Sequence, residues 1–272
     1  MLSKLFITLV HSNPSLQKAL WKWWYERLAH RGRIENWTFM NYGFIPKNGA
    51  PKRTLNPEDE GERVFIQLYD HASSQIPLEG KKVLEVGSGR GGGASFVARY
   101  YHPSEMTGLD YSPEAVKLSS ELHKDIANLS FVQGDAEALP FENNSFDAVI
   151  NVESSHCYGD APQFIKEVVR ILKPGGYFSW VDIRGKDSIE ATEASFALPK
   201  LKKIHDMVIT PGVIEALDEI HDRKSELIDK HVPAWIRPAF KDFAGVKDSK
   251  IYNAFKNGAT VYMSKAFQKN QD

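Results

Sequence analysis

The sequence predicts an α/β protein: a doubly wound, mostly parallel sheet with helices on both faces, covered by a helical lid. Three observations predict it. From Lys81 onward, short apolar runs alternate with amphipathic ones, and such a rhythm buries its apolar surface as a parallel sheet between two helical layers. The first apolar run, KKVLEV, passes directly into a glycine-rich turn, Gly87-Ser88-Gly89-Arg90-Gly91-Gly92-Gly93. The next two runs each end on an acid, Asp110 and Asp135.

Each element has its own signal. After the strand KKVLEV, GGASFVARYY opens a helix, and EMTGLD reads as the second strand. SPEAVKLSSELHKDI is a helix with Ser112 as its cap and Pro113 at its first position, where the missing N–H costs nothing. LSFVQGD and FDAVINVE are strands, DAPQFIKEVVRILK is a helix closed by Pro174 and Gly175, and GGYFSWVDI is a further strand. Upstream, residues 14–31 form a helix between Pro14 and Gly32 that carries Trp21, Trp23, Trp24 and Tyr25. A looser stretch broken by Pro46, Pro51 and Pro57 follows. Residues 58–77 are again helical, with Val64, Leu68 and the 71–72 region on one face.

Residues 184–237 break the rhythm. VIEALDEIHDRKSELIDKHV reads as one long amphipathic helix, apolar at Ile214, Leu217, Ile220, Leu227 and Ile228, with Glu219 and Arg223 on a solvated face. AFKDFAGV and ATVYMSKAFQK read as two strands joined by a helix near Lys250–Phe255, the last of them antiparallel. The expected organisation is an N-terminal helical lid (1–60), an α/β core (61–183), an inserted helical cap (184–237) and the final strands of the core sheet (238–272).

Composition excludes several function classes. With 34 Lys and Arg against 35 Asp and Glu, the chain has no overall basic footprint for nucleic acid. The single cysteine, Cys157, rules out an intramolecular disulfide and a Cys-rich zinc site, and fits a reducing cytoplasm. The histidines are scattered without metal-ligand spacing, so no metal is expected. The N-terminal apolar run stops at His11 with no small-residue cleavage site, against a signal peptide. No run approaches the roughly 20 apolar residues of a membrane span, so no stable membrane insertion is expected.

The glycine turn and the two acids carry the chemistry. Glycines let the backbone turn sharply and let a ligand approach where a Cβ would block it, and the helix beyond presents unpaired N–H groups. Asp110 ends the second strand about 20 residues after the turn, where an acid accepts both ribose hydroxyls of an adenosine. Asp135, within Gly134-Asp135-Ala136, is placed to accept an adenine amino group. Both acids have a structural alternative, since Asp commonly terminates strands by bonding its own backbone.

EVGSGRGGGAS, GLDYSPEAV, GDAEALPFENNSFDAV and RILKPGGYF resemble, in order, the motifs of class I methyltransferases that use S-adenosylmethionine (SAM) and have a Rossmann-like fold. The resemblance implies SAM as cofactor, with Gly87, Ser88 and Gly89 under the methionine moiety and Asp110 and Tyr111 at the ribose. It also implies Gly134, Asp135 and Ala136 at the adenine, Glu85 supporting the methionine amino end, and the backbone near Asn151 holding its ammonium. Ser88 stands where Cys is common, and Arg90 is an unusual charge in the turn. NVESSHCY, the Trp-rich N-terminal helix and FAGVKDSKIYNAFKNGATVYMSKAF resemble bacterial small-molecule O-methyltransferases, including those that methylate phthiotriolone-type lipids. Asn41-Tyr42-Gly43-Phe44 resembles a segment that folds over SAM in tocopherol-type enzymes.

The expected reaction is methyl transfer to an oxygen of a hydrophobic small molecule, by a monomer or homodimer. C- or N-methylation, or SAM binding without transfer, are the alternatives. His156 follows the fourth strand at the carboxyl edge of the sheet, where a neutral imidazole can take the acceptor's proton. The alternative is a histidine that only shapes the pocket. Glu153 is a second candidate base, which needs a raised pKa to compete. The aromatic N-terminal helix either packs on the core or forms a lid that excludes water from the transfer.

Overall fold

The computed structural model describes residues 38–46, 52–232, 234 and 237–271. Seven strands form one sheet: β1 (Lys82–Val86), β2 (Glu105–Asp110), β3 (Leu129–Gln133), β4 (Phe146–Val152), β5 (Leu172–Gly185), β6 (Leu201–Val208) and β7 (Thr260–Lys269). Their spatial order is β3-β2-β1-β4-β5-β7-β6. The first five are mutually parallel, and β7 runs antiparallel to both of its neighbours. The mostly parallel, doubly wound sheet is the one predicted.

The strands read as continuous apolar runs because both faces are covered. Val83 packs into the core beneath α1 (Arg63–Ser73) and α2 (Gly92–Tyr100), while Leu84 and Val86 face the core beneath α4 (Ala161–Ile171). α1 buries Val64, Leu68 and Ala72, as expected. α4 buries Phe164, Ile165, Val168 and Ile171, a stripe at helical spacing. Ser112 caps α3 (Pro113–Leu122) by accepting from the Ala115 N–H, and Asp160 caps α4 by accepting from Gln163. The chain moves outward from β1 in both directions, so the crossovers diverge between β1 and β4. That divergence opens a crevice at the carboxyl ends of the strands.

Four expectations are corrected. α4 ends at Ile171, and Pro174 and Gly175 lie within β5, where a register shift between Phe146 and Ala148 accommodates them. The long helix is two, α6 (Thr210–Glu219) and α7 (His221–His231), breaking at Ile220, which has φ −95° and ψ 6°. The 184–237 region is not purely helical, because besides the short α5 (Ile189–Phe196) it supplies β6. LKKIHDMV spaces its apolar residues like a helix, but β7 offers an open hydrogen-bonding edge, and an irregularity between Lys203 and His205 fits the strand to it. AFKDFAGV is not a strand: Arg237–Phe243 form helix α8, consistent with Pro238 in the first turn. The helix near Lys250–Phe255 is present as α9 (Lys250–Lys256).

The expected helix at 14–31 lies outside the described residues. Of the predicted lid, residues 38–46 run over the crevice, tied by Phe44 N–H to Val64 O (3.0 Å) and Ile45 N–H to Gly212 O (3.0 Å). Asn41 Nδ2 donates to Phe65 O at 3.2 Å.

Candidate active site

The crevice closes into a cavity, and its cofactor end is made by local turns. Gly87 has φ +79°, and a Cβ there would lie 2.4 Å from Ser154 Oγ, so only glycine fits. Gly89 has φ +53°, and its missing Cβ would meet no protein atom within 4 Å, leaving space inside the cavity for a ligand. Ser88 lines the same wall. Asp110 accepts the Gly89 N–H at 2.8 Å and the Ser112 N–H at 2.9 Å, which fixes its carboxylate on the wall with lone pairs to spare for two hydroxyls. Burial raises its pKa, opposed by these backbone bonds. Asp135 bonds the Glu137 N–H at 3.0 Å and lines the cavity with Tyr111, Gly134 and Ala136. Both acids bond the backbone of turns, as the structural alternative expects, and both also line the cavity.

Glu85 and Asn151 lie one layer behind the wall. Glu85, 1% exposed, accepts from Tyr69 OH at 2.7 Å. Asn151 Nδ2 donates to Val86 O (2.9 Å), Ser154 Oγ (2.7 Å) and Tyr158 OH (3.1 Å). Glu85 Oε2, Asn151 Oδ1 and Ser88 Oγ are buried without a hydrogen-bond partner among the described residues. Burial pushes Glu85 up to about 7 against the bonds from Tyr69 and Ala94. Buried polar atoms left unsatisfied are costly, and an ammonium group is what acceptors of this kind suit. These residues therefore fit SAM, whose methionine end carries one.

The other end of the cavity is assembled from distant parts of the chain. Glu153 sits on the wall with φ +49°. Its Oε2 accepts from the Tyr42 N–H at 2.9 Å and from Tyr262 OH at 2.5 Å. Its Oε1 has no hydrogen-bond donor among the described residues. Burial pushes its pKa up to about 7, opposed by Tyr262, the charge of His156 and the Tyr42 N–H. The raised pKa required of Glu153 as a base is thus present.

Tyr42 itself does not line the cavity. Thr38, Phe39, Met40 and Asn41 do, while the Tyr42 ring is held 5.6 Å from Lys224 Nζ and 5.7 Å from the Phe255 ring. His156 is also off the wall. Its Nδ1 lies 2.7 Å from Asp182 Oδ1, and its backbone N–H donates to Asp182 Oδ2 at 2.9 Å. Burial alone would lower the His156 pKa, but its interactions with Cys157 and Asp182 outweigh this and hold it well above the ordinary value. A neutral imidazole is expected from the sequence, whereas the ring here is paired with Asp182 and its pKa is raised.

Sequence reasoning missed Tyr69, Asp182, Lys224 and Tyr262. Asp182 had a signal, an acid at the end of the strand GGYFSWVDI, while Tyr262 had none. Among the described residues, no helix is long and apolar enough to cross a membrane, and no group of three or more His, Cys, Asp or Glu side chains is placed to hold a metal.

The methyltransferase domain family matches residues 84–180. The phthiotriol/phenolphthiotriol dimycocerosates methyltransferase of Mycobacterium leprae is 36% identical over 271 residues, covering 97% of this chain and 99% of its own. The chain belongs to the class I SAM-dependent methyltransferases, in the family of that enzyme. A fatty-acid O-methyltransferase of Mycolicibacterium smegmatis is 37% identical to this methyltransferase over 247 residues, 90% of this chain and 88% of its own. Geranyl diphosphate C-methyltransferase from Streptomyces coelicolor A3(2), crystallised with Mg2+, geranyl diphosphate and S-adenosylhomocysteine (SAH), shares the fold. Its TM-score is 0.62 at 16% identity, over 90% of this chain and 97% of that one. The cofactor of the methyltransferase is SAM.

Proposed function

We propose that this methyltransferase moves the SAM methyl group to a hydroxyl oxygen of a hydrophobic, lipid-like small molecule, with Glu153 as the proton acceptor. The observation that carries the reading is Glu153 itself: a carboxylate on the cavity wall, held near neutral pKa, with one oxygen committed to Tyr42 and Tyr262 and the other without a protein donor. The names of the relatives support a lipid-like acceptor. The apolar wall of Phe39, Met40, Leu109 and Val152 suits one as well.

SAM supplies an electrophilic methyl on its sulfonium. Asp110, Tyr111 and the turn at Gly87–Gly89 would hold the ribose and methionine, and Gly134, Asp135 and Ala136 would hold the adenine, all of them on the cavity wall. Glu85 and Asn151 make the methionine end electronegative. Glu153 Oε1 would take up the proton of the acceptor hydroxyl, so that its oxygen is a partial alkoxide towards the methyl group that SAM would supply, with SAH as the leaving group. Holding the three atoms in line supplies much of the acceleration. The single cysteine fits a cytoplasmic enzyme, which acts on an acceptor taken into its cavity.

The test is product analysis with SAM labelled in its methyl group and three probes: hexadecane-1,2-diol, palmitic acid and 4-nonylphenol. A labelled ether of the diol or the phenol, formed one for one with SAH, is expected. Label on a carbon, or on the carboxylate of palmitic acid alone, would overturn the hydroxyl reading.

A further inference from the structure

We infer that His156 is a positioning residue: joined as a cation to Asp182, it locks residues 153–158 in the conformation that presents Glu153 to the cavity. The inference rests on the reading of Glu153 as the proton acceptor.

The backbone is where the argument starts. Glu153 has φ +49°, a region that L residues seldom occupy and keep only when the surroundings over-determine it. Here they do. The Glu153 N–H donates to Val181 O at 2.8 Å, which continues the strand pairing one residue past β4. Ser155 and His156, two and three residues further on, are bound to Asp182, a fully buried side chain on β5. Ser155 Oγ donates to Asp182 Oδ2 at 2.6 Å, and His156 donates to Asp182 from both its backbone N–H and its ring. Ser155 Oγ in turn accepts from Trp180 Nε1 and Arg184 Nη2, both at 2.8 Å.

Asp182 has no capacity left for a substrate. Its Oδ1 takes the His156 ring and the Ile183 N–H, and its Oδ2 takes Ser155, the His156 N–H and Arg184 Nη1 at 3.0 Å. His156 does not line the cavity, whereas Glu153 does. The pair therefore acts on the reaction through the loop it holds and through charge.

The charge argument follows from the groups around Glu153. His156 and Cys157 lie on its own loop, Asp182 and Arg184 on β5, Tyr262 on β7, Lys224 on α7, Tyr69 on α1 and Tyr42 on the crossing segment. The three tyrosines are neutral, since burial raises the pKa of each, with Glu153 adding to it at Tyr42 and Tyr262 and Glu85 at Tyr69. Asp182 opposes ionisation of Glu153, and His156 favours it. A ring bonded to a buried carboxylate is held as imidazolium, so replacing it by a neutral side chain leaves Asp182 less compensated and raises the proton affinity of Glu153.

The test titrates Glu153 by 13C NMR in protein labelled at the glutamate carboxyl carbon and filled with SAH, with assignment by loss of the signal in Glu153→Gln. Wild type should titrate near 7. His156→Gln should move the midpoint upward by about one pH unit, with SAH affinity retained, and His156→Arg should leave it near wild type. Turnover of hexadecane-1,2-diol by His156→Gln should recover as pH rises through the new midpoint. An unmoved midpoint overturns the proposal. So does turnover that stays lost at every pH despite a moved midpoint, because His156 would then be the base. In the unmutated protein, 15N shifts showing a neutral His156 ring at neutral pH overturn it without any variant. Wild-type turnover in Glu153→Gln would instead remove the underlying base reading, while the midpoint comparison still decides what His156 does to Glu153.

Discussion

The two ends of the cavity are built in opposite ways. At the cofactor end, the Asp110 carboxylate is fixed by the backbone of two turns, through the N–H groups of Gly89, 21 residues before it, and Ser112, two residues after it. At the acceptor end, Glu153 is held by Tyr42, 111 residues away in sequence, and by Tyr262, 109 residues away. Asp110 and Asp135 take backbone N–H donors from nearby turns, whereas Glu153 takes one backbone N–H, from Tyr42, and one side-chain hydroxyl, from Tyr262, both from far along the chain. A shared cofactor can be recognised by a portable local turn. An acceptor-specific site draws on whatever parts of the fold converge there, and it can change without disturbing the turn.

If the ends are separate devices, breaking one should spare the other. The largest effect is expected for Glu153→Gln, which should lower turnover about 10²–10⁴-fold while leaving SAM affinity within about twofold. Calorimetry that shows SAM binding lost together with turnover would contradict the separation.

Next in size is a stability effect at Glu85. Its folded-state pKa, about 7, lies above the ordinary 4.5. A raised carboxyl contributes stability that is fully present below the ordinary value and lost as pH rises through the folded one. The shift corresponds to about 3 kcal/mol. Relative to Glu85→Gln, the SAM-free wild type should therefore weaken by roughly that amount between about pH 4.5 and 7, as read from urea midpoints. Parallel pH dependences in the two proteins would mean that Glu85 is not held protonated. The smallest effect is at Asp110: Asp110→Ala should weaken SAM about tenfold or more, for the loss of two hydrogen bonds to a carboxylate. The pH at which Glu153 titrates should not move in this variant, and a displaced midpoint would show that the ends communicate.

The same contrast explains what the sequence made legible. The glycine turn, Asp110, Asp135 and the Ser112 cap are local, so spacing along the chain was enough to find them. Glu153 and His156 could be named as candidates, but their roles depend on Asp182 and Tyr262, which only the sheet brings near. Tyr42 marked the right segment, although its neighbours Thr38–Asn41 form the wall. The break at Ile220 was invisible in an unbroken amphipathic pattern, yet it helps set Lys224 against the Tyr42 and Phe65 rings. β6 was hidden because its apolar spacing suits a helix, and pairing with β7 overrode that local preference.

The order of β5, β7 and β6 in the sheet has a consequence for how the molecule is made. β6 precedes β7 in the chain but lies outside it, so during synthesis β6 emerges with no neighbour to pair with. Ile204, Met207 and Val208 remain exposed even in the finished fold. Until β7 slides in beside β5, the growing chain carries an open sheet edge and an apolar strand at once, a combination that invites association between nascent molecules. The same insertion delivers Tyr262 to Glu153. The proposed methyl-transfer site is therefore completed by the very step that closes the edge, and on that proposal a chain that stalls before it is both inactive and prone to stick.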